Sequence, residues 1–266
     1  MSQGNTLMLV IMSVSCLFFV ILGGGLIAVF VWMARRFVKT ARQGSEAIQS
    51  NAEEYFADNV PTLRPWQAEA LADLASLIET SGGQTLGSIH YNGVLKSLAS
   101  PETTGWLAYD LRLKRGKGSL QLQTSRHTVQ LDIASDSIGV TVEGEPLGQL
   151  HLVRYRNATL LDAAGKPVGD YRHQKRDVFW RQKGFFAPYY GLIELHNRPI
   201  AEINNNLIRS VYVNPSNPLI ARLNHPAPPL FRNLASTLTP DEESWLLALV
   251  GLQIYYRVMD RVQDNY

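Results

Sequence analysis

The side chains in this sequence best suited to chemistry are cations. Arg112, Lys114, Arg115 and Lys117 fall on or beside one charged turn, Lys114-Arg115-Gly116-Lys117-Gly118. Arg172, His173, Lys175, Arg176, Arg181 and Lys183 crowd a second connection further along. Guanidinium and ammonium groups at this density form charge-assisted hydrogen bonds to phosphate oxygens, which makes both stretches candidate sites for anionic lipid headgroups. Lys and Arg also decorate strand edges to prevent association, and the same residues fit that plainer role. A formal net charge of only +2, with no recognition motif, argues against nucleic acid as a partner.

Other chemistries are poorly supplied. His90, His127, His151, His173, His196 and His225 show no H-x-x-x-H spacing and no cysteine neighbour, so neither a metal nor another cofactor is expected. His151 and His173 follow the same kind of hairpin at similar offsets, which permits a cross-strand pair as well as two ordinary strand histidines. No G-x-S-x-G is present, and the serines carry no signal for a partner base. Asp241-Glu242-Glu243 is an acid cluster that a helix start explains. An aromatic run, Phe179, Trp180, Phe185, Phe186, Tyr189 and Tyr190, suits either packing at the end of a β domain or a partner- or bilayer-contacting loop.

The elements that must carry these residues begin with an uncharged N-terminal segment. Leu7 to Met33 is almost wholly apolar, and as a helix it measures roughly 40 Å, more than the about 20 residues a bilayer core requires. No Lys or Arg precedes it, as a signal peptide would demand. Arg35, Arg36, Lys39 and Arg42 follow before the first acid, Glu46. The positive side stays in the cytoplasm, so the expectation is a single-pass membrane protein with its N-terminus outside and its C-terminal domain cytoplasmic. The single cysteine, Cys16, lies within the span, leaving no disulfide or thiolate site beyond it.

Residues 1–34 are thus read as an anchor and 35–64 as a juxtamembrane stalk or linker. Residues 65–104 are read as a helical lead-in, because Leu71, Leu74, Ala75 and Ile78 fall at helical spacing before Ser81-Gly82-Gly83. Beyond Gly105 the period becomes two: 106–113, 119–123 and 128–133 alternate as strands. A weak repeat follows at Glu145-Pro146-Leu147-Gly148, Lys166-Pro167-Val168-Gly169, Arg198-Pro199-Ile200-Ala201 and, more loosely, Asn217-Pro218-Leu219-Ile220-Ala221. Each has a turn, a proline that donates no N–H, an aliphatic residue and then a small one that admits a neighbouring backbone. The repeat predicts a meander of hairpins.

After Pro226-Ala227-Pro228-Pro229 the pattern changes to Thr239-Pro240-Asp241-Glu242, which reads as N-cap, N1 proline and capping acid at N3. The helix it starts carries Trp245 to Leu249, Val250, Leu252, Ile254, Tyr255 and Tyr256 and is apolar all round, so it must be buried on every side. The fold class expected is a single N-terminal transmembrane helix plus an α+β, mainly β, domain. That domain, 105–266, is read as an antiparallel β-barrel around a buried hydrophobic C-terminal helix; a two-layer α+β domain also accommodates the helix.

Proline-bearing hairpins of the form Gly165-Lys166-Pro167-Val168-Gly169, ending in an apolar C-terminal helix, resemble the tubby, phospholipid scramblase and LURP-one superfamily over roughly residues 105–261. The resemblance implies a twelve-stranded barrel around a hydrophobic helix, association with membranes and recognition of phosphoinositide headgroups by basic residues. The chain departs from scramblases in its N-terminal anchor and its lack of a cysteine-rich cluster and an acidic calcium segment. The function expected is therefore a membrane-anchored, non-enzymatic binding or scaffold domain taking anionic lipid or a protein partner. The alternatives are a structural subunit of a membrane complex and, less favoured, an enzyme using a pocket in the β domain.

Overall fold

The computed structural model describes residues 32–33, 36, 50, 53–67, 69–85, 87–99, 105–153, 156–175, 189–205, 208–209, 229–232 and 234–263. The chain divides into two compact units, Met1–Ala47 and Ile48–Tyr266. In the first, the Arg36 guanidinium lies 5.3 Å from the centre of the Trp32 ring. The expected span from Leu7 to Met33 falls outside the described residues except for Trp32 and Met33. Among the described residues no helix is long and apolar enough to cross a membrane.

The second unit is mostly β. Its strands are β1 (Leu74–Thr85), β2 (Ser88–Ser97), β3 (Gly105–Lys114), β4 (Lys117–Gln123), β5 (Thr128–Ile133), β6 (Ser137–Val142) and β7 (Glu145–Val153). They continue as β8 (Asn157–Asp162), β9 (Pro167–Lys175), β10 (Tyr189–Leu195), β11 (Arg198–Asn204), β12 (Ile208–Arg209) and β13 (Phe231–Arg232). From β1 to β11 each strand pairs antiparallel with the next. β1 and β11 therefore run in the same direction and cannot close antiparallel on one another. A reversed piece solves this: Phe231 of β13 pairs with Ile203 of β11, and Pro229 bridges Ala75 of β1. The Leu230 N–H donates to the Leu74 carbonyl, and its own carbonyl accepts from Asn204 N–H, both at 2.8 Å. The result is a nearly closed antiparallel barrel of 12 strands, with β12 added in parallel to β1.

The described residues of 65–104 are not helical. After a turn at 69–73 they form β1 and β2, the first two strands of the barrel. The helical spacing of Leu71, Leu74, Ala75 and Ile78 arises from a bulge: Leu74 faces Ser97 but Ile78 faces Leu95, so β1 advances further than its partner. Leu74, Ala75, Ser76 and Ile78 are all buried as a consequence. The glycines expected to stop a helix lie inside β1. Gly82, at φ +105°, has its Cβ position 2.2 Å from the His90 carbonyl oxygen, so β2 approaches there as only glycine permits.

The repeated proline units are β-bulges. Val140 faces Gly148 while Thr141 faces Pro146; Leu160 faces Gly169 while Leu161 faces Pro167; Ile193 faces Ala201 while Glu194 faces Pro199. Leu147, Val168 and Ile200 are the extra residues, and proline tolerates a position where the ladder is already interrupted. The small residue then meets the next strand. A Cβ on Gly148 would lie 1.9 Å from the Leu161 carbonyl oxygen, and one on Gly169 2.2 Å from that of Glu194. The looser fourth copy, 216–223, lies outside the described residues.

The C-terminal helix, Pro240–Gln263, begins as expected. Thr239 accepts from the Glu242 N–H at 3.2 Å while Glu242 accepts from the Thr239 N–H at 2.9 Å, a reciprocal capping box. Every residue from Ser244 to Ile254 is buried. This all-round burial answers the all-round apolarity, since the helix shares one core with inward residues of β1 to β11 and β13. At Gly251 the helix faces β4 and β5, where a Cβ would sit 3.0 Å from Leu131 and 3.1 Å from Leu122.

Candidate functional site

Because the strands alternate, the barrel has two distinct ends. From β1 to β11, odd strands finish at one, here the upper rim, and even strands at the other. The first helical turn meets the lower rim through His127 and Arg198, at the β4–β5 and β10–β11 turns. The last turns meet the upper rim through Arg156, which pairs with Asp260 and stacks 5.0 Å from the Tyr256 ring centre. The helix thus runs from lower to upper.

The first basic cluster stands at the upper rim on the β3–β4 hairpin. Arg115 and Gly116 form its two-residue turn, both left-handed at φ 52° and 78°, the geometry that matches strand twist. Lys114 faces Lys117 directly across the ladder. Leu111 and Leu113 point into the core, so Arg112 and Lys114 share the outer face. Lys114, Arg115 and Lys117 are exposed and border an open groove with Gly118. Among the described residues none of these three has an ion-pair partner.

Arg112 is placed differently. Its Nε donates to Asp110 Oδ2 at 2.7 Å, and its Nη1 lies 3.1 Å from Glu53 Oε1. Asp110 in turn accepts from His90 Nε2 at 2.6 Å, and both residues are buried. Burial pushes the Asp110 carboxyl up, but the hydrogen bonds from His90 and Arg112 outweigh it and hold the group below its ordinary range. The four residues form a chain, His90–Asp110–Arg112–Glu53, on the outside of β2 and β3. Helical residues 53–59 and the 3-10 turn Val60–Thr62 cover it as a strap. Phe56, Val60 and Leu63 pack on Val94 and Ala108, and the Arg64 N–H reaches the Gly105 carbonyl at 3.0 Å. Since Arg112 is near the top of β3 and Gly105 at its foot, the strap descends the wall from the upper rim.

The described part of the second cluster lies on β9, which ends at the same rim, five strands round the wall from β4. Arg172 sits lower on the outer face of β9 and is matched by Glu194 and Asp170, so its charge is already balanced. Lys175 is the last residue of β9. Its side chain, together with Arg176, Arg181, Lys183 and most of the aromatic run, lies outside the described residues. His151 and His173 do not pair. His151 is exposed and faces Thr159, whereas His173 shares the face of Tyr171, which points inward.

The lower rim holds a network that sequence reasoning missed. Glu242, almost fully buried, receives the Arg198 guanidinium at 2.7 Å and 2.8 Å. Burial raises its carboxyl, but bonds from Thr239 and Arg198 win and leave it below the ordinary value. Glu243 accepts from the Trp66 indole and lies 3.7 Å from His127 Nε2. Trp66 stands edge-on to both Trp106 and His127, at 6.1 Å and 6.2 Å. Beside it, Asp73 accepts from Ser97 and Trp106. Within the core, Tyr171 donates to Asn205 at 2.7 Å and accepts from Gln253 at 2.9 Å. No signal along the chain pairs these residues, because cross-strand register and helix placement bring them together.

Among the described residues there is no group of three or more His, Cys, Asp or Glu able to hold a metal. What the upper rim can do chemically is attract an anion: three cations on one hairpin tip that have no ion-pair partner among the described residues, with the Arg112 guanidinium beside them already bound to carboxylates. No protein-family model, no curated protein and no solved structure matches the chain.

Proposed function

We propose that this chain is a membrane-anchored, non-enzymatic binding module whose barrel recognises anionic headgroups through its upper rim, on the cytoplasmic side. The single observation that carries the reading is the β3–β4 hairpin tip. Among the described residues Lys114, Arg115 and Lys117 are exposed there without carboxylate partners, at the rim where Glu53 meets Arg112. At an anionic leaflet each such cation gains about 1 kcal/mol. The resemblance of the proline-bearing hairpins and apolar C-terminal helix to the tubby, scramblase and LURP-one superfamily implies the same use of basic residues. Lys175, Arg176, Arg181 and Lys183 are read as further headgroup contacts, while Arg172, already matched by Glu194 and Asp170, serves the wall.

The test uses the full chain in lipid nanodiscs, either zwitterionic or containing phosphatidylserine. Amide exchange across 114–118 slows in the anionic discs, the difference fades with added salt, and it disappears in the K114Q/R115Q/K117Q variant. Equal exchange in the two discs overturns the reading and turns the search to a protein partner, as a structural subunit of a membrane complex requires.

A further inference from the structure

The outer face of β3 places Arg112 between two roles. It lies on the same face as Lys114, about 7 Å along the strand, and so within the candidate anion site. It is also the residue that the strap grips, through Glu53 at 3.1 Å. Its guanidinium is aimed from behind: Asp110, buried and bonded to His90, takes Nε and leaves the Nη edge facing outward. Glu53 and Arg112 are both about half exposed, at 47%, so that contact opens to solvent without disturbing the core.

We propose that Glu53 is an intramolecular stand-in for a phosphate at Arg112, so that anion binding at the upper rim and docking of the strap compete for one guanidinium edge. A carboxylate and a phosphate oxygen make the same charge-assisted bonds to the arginine fork. Asp110 keeps that fork oriented whichever partner is present. Competition for one group is reciprocal: the anion loosens the strap by the same factor as the docked strap weakens the anion. The strap is the last element before the barrel along the path from the N-terminal segment. Contact with an anionic surface would therefore free the tether as the hairpin engages. The inference rests on the binding role proposed above and adds its regulation.

The experiment compares the wild type with E53Q in the same nanodiscs, following amide exchange in the strap, 53–59, and in the hairpin, 114–118. In the wild type, phosphatidylserine speeds strap exchange by about 2- to 5-fold, the range of a half-exposed ion pair, while it slows hairpin exchange. E53Q exchanges fast in the strap with or without anionic lipid, and its hairpin protection survives higher salt. Inorganic phosphate added to zwitterionic discs separates the sources of the anion. A matching acceleration identifies free phosphate as sufficient, and none identifies the headgroup. If the hairpin is protected by anionic lipid but the strap is unmoved and E53Q behaves as wild type, the competition is refuted and the binding role stands. An unprotected hairpin in the wild type refutes the binding role itself.

Discussion

Glu242 offers the sharpest test of how the helix is seated. It closes the capping box with Thr239 and receives two nitrogens of Arg198 while almost fully buried. Replacing it with alanine removes the bond to the N-cap, about 1 kcal/mol, and the Arg198 pair. Because the Arg198 side chain is 43% exposed, that pair is screened and adds about 1 kcal/mol more. The expected loss is about 2 to 3 kcal/mol, or roughly 5 to 10 °C in Tm for a unit of this size. The acid dependence has a definite sign. The folded carboxyl titrates below its unfolded value of 4.5, so its stabilisation is present above that value and drains away as pH falls through the folded one. Urea unfolding of the full chain in detergent, followed by tryptophan fluorescence across the acid range, reads both effects. E242Q should lie between wild type and E242A and show a shallower acid limb than wild type. An E242A variant within about 0.5 kcal/mol of wild type, or an E242Q acid limb parallel to it, would refute the seating argument.

Two glycine positions separate space from backbone angle. Gly191 lies where a Cβ would come 2.0 Å from Tyr171 Cε2, and Tyr171 is held at both sides by Asn205 and Gln253. G191A should cost about 3 kcal/mol in urea unfolding, the upper end for overpacking, because the ring has nowhere to turn. At Gly144 nothing lies within 4 Å, but φ is +84°, so G144A should cost only about 1 kcal/mol of backbone strain and leave exchange in β6 and β7 unchanged. By contrast G169V drives a side chain at the Glu194 carbonyl, 2.2 Å from the Cβ, and should raise amide exchange along β9 and β10.

Along the chain itself, local chemistry settled several features of this protein. Alternation marked β4 and β5, where one face is core and the other is more exposed, and β3, whose outer face is partly covered by residues 53–63. The capping box depends only on Thr239 and Glu242 three residues apart, and apolarity round the whole helix required burial on every side. The turn–proline–aliphatic–small units marked hairpins, since a missing N–H and a missing Cβ act within a few residues of where they stand. Other features depended on partners distant in sequence. The bulge in β1 broke its period and imitated a helix, and only pairing with β2 determines that geometry. Barrel closure by Pro229–Arg232 follows from the parity of the strands before it, which no local pattern encodes. The candidate site divides in the same way. The cations at 114–117 were visible as composition, whereas their lack of partners among the described residues, the balance of Arg172 and the grip of Glu53 on Arg112 were decided by register and by the path of the strap. Charge is a property of a residue; whether it is already matched belongs to the neighbours that the fold supplies.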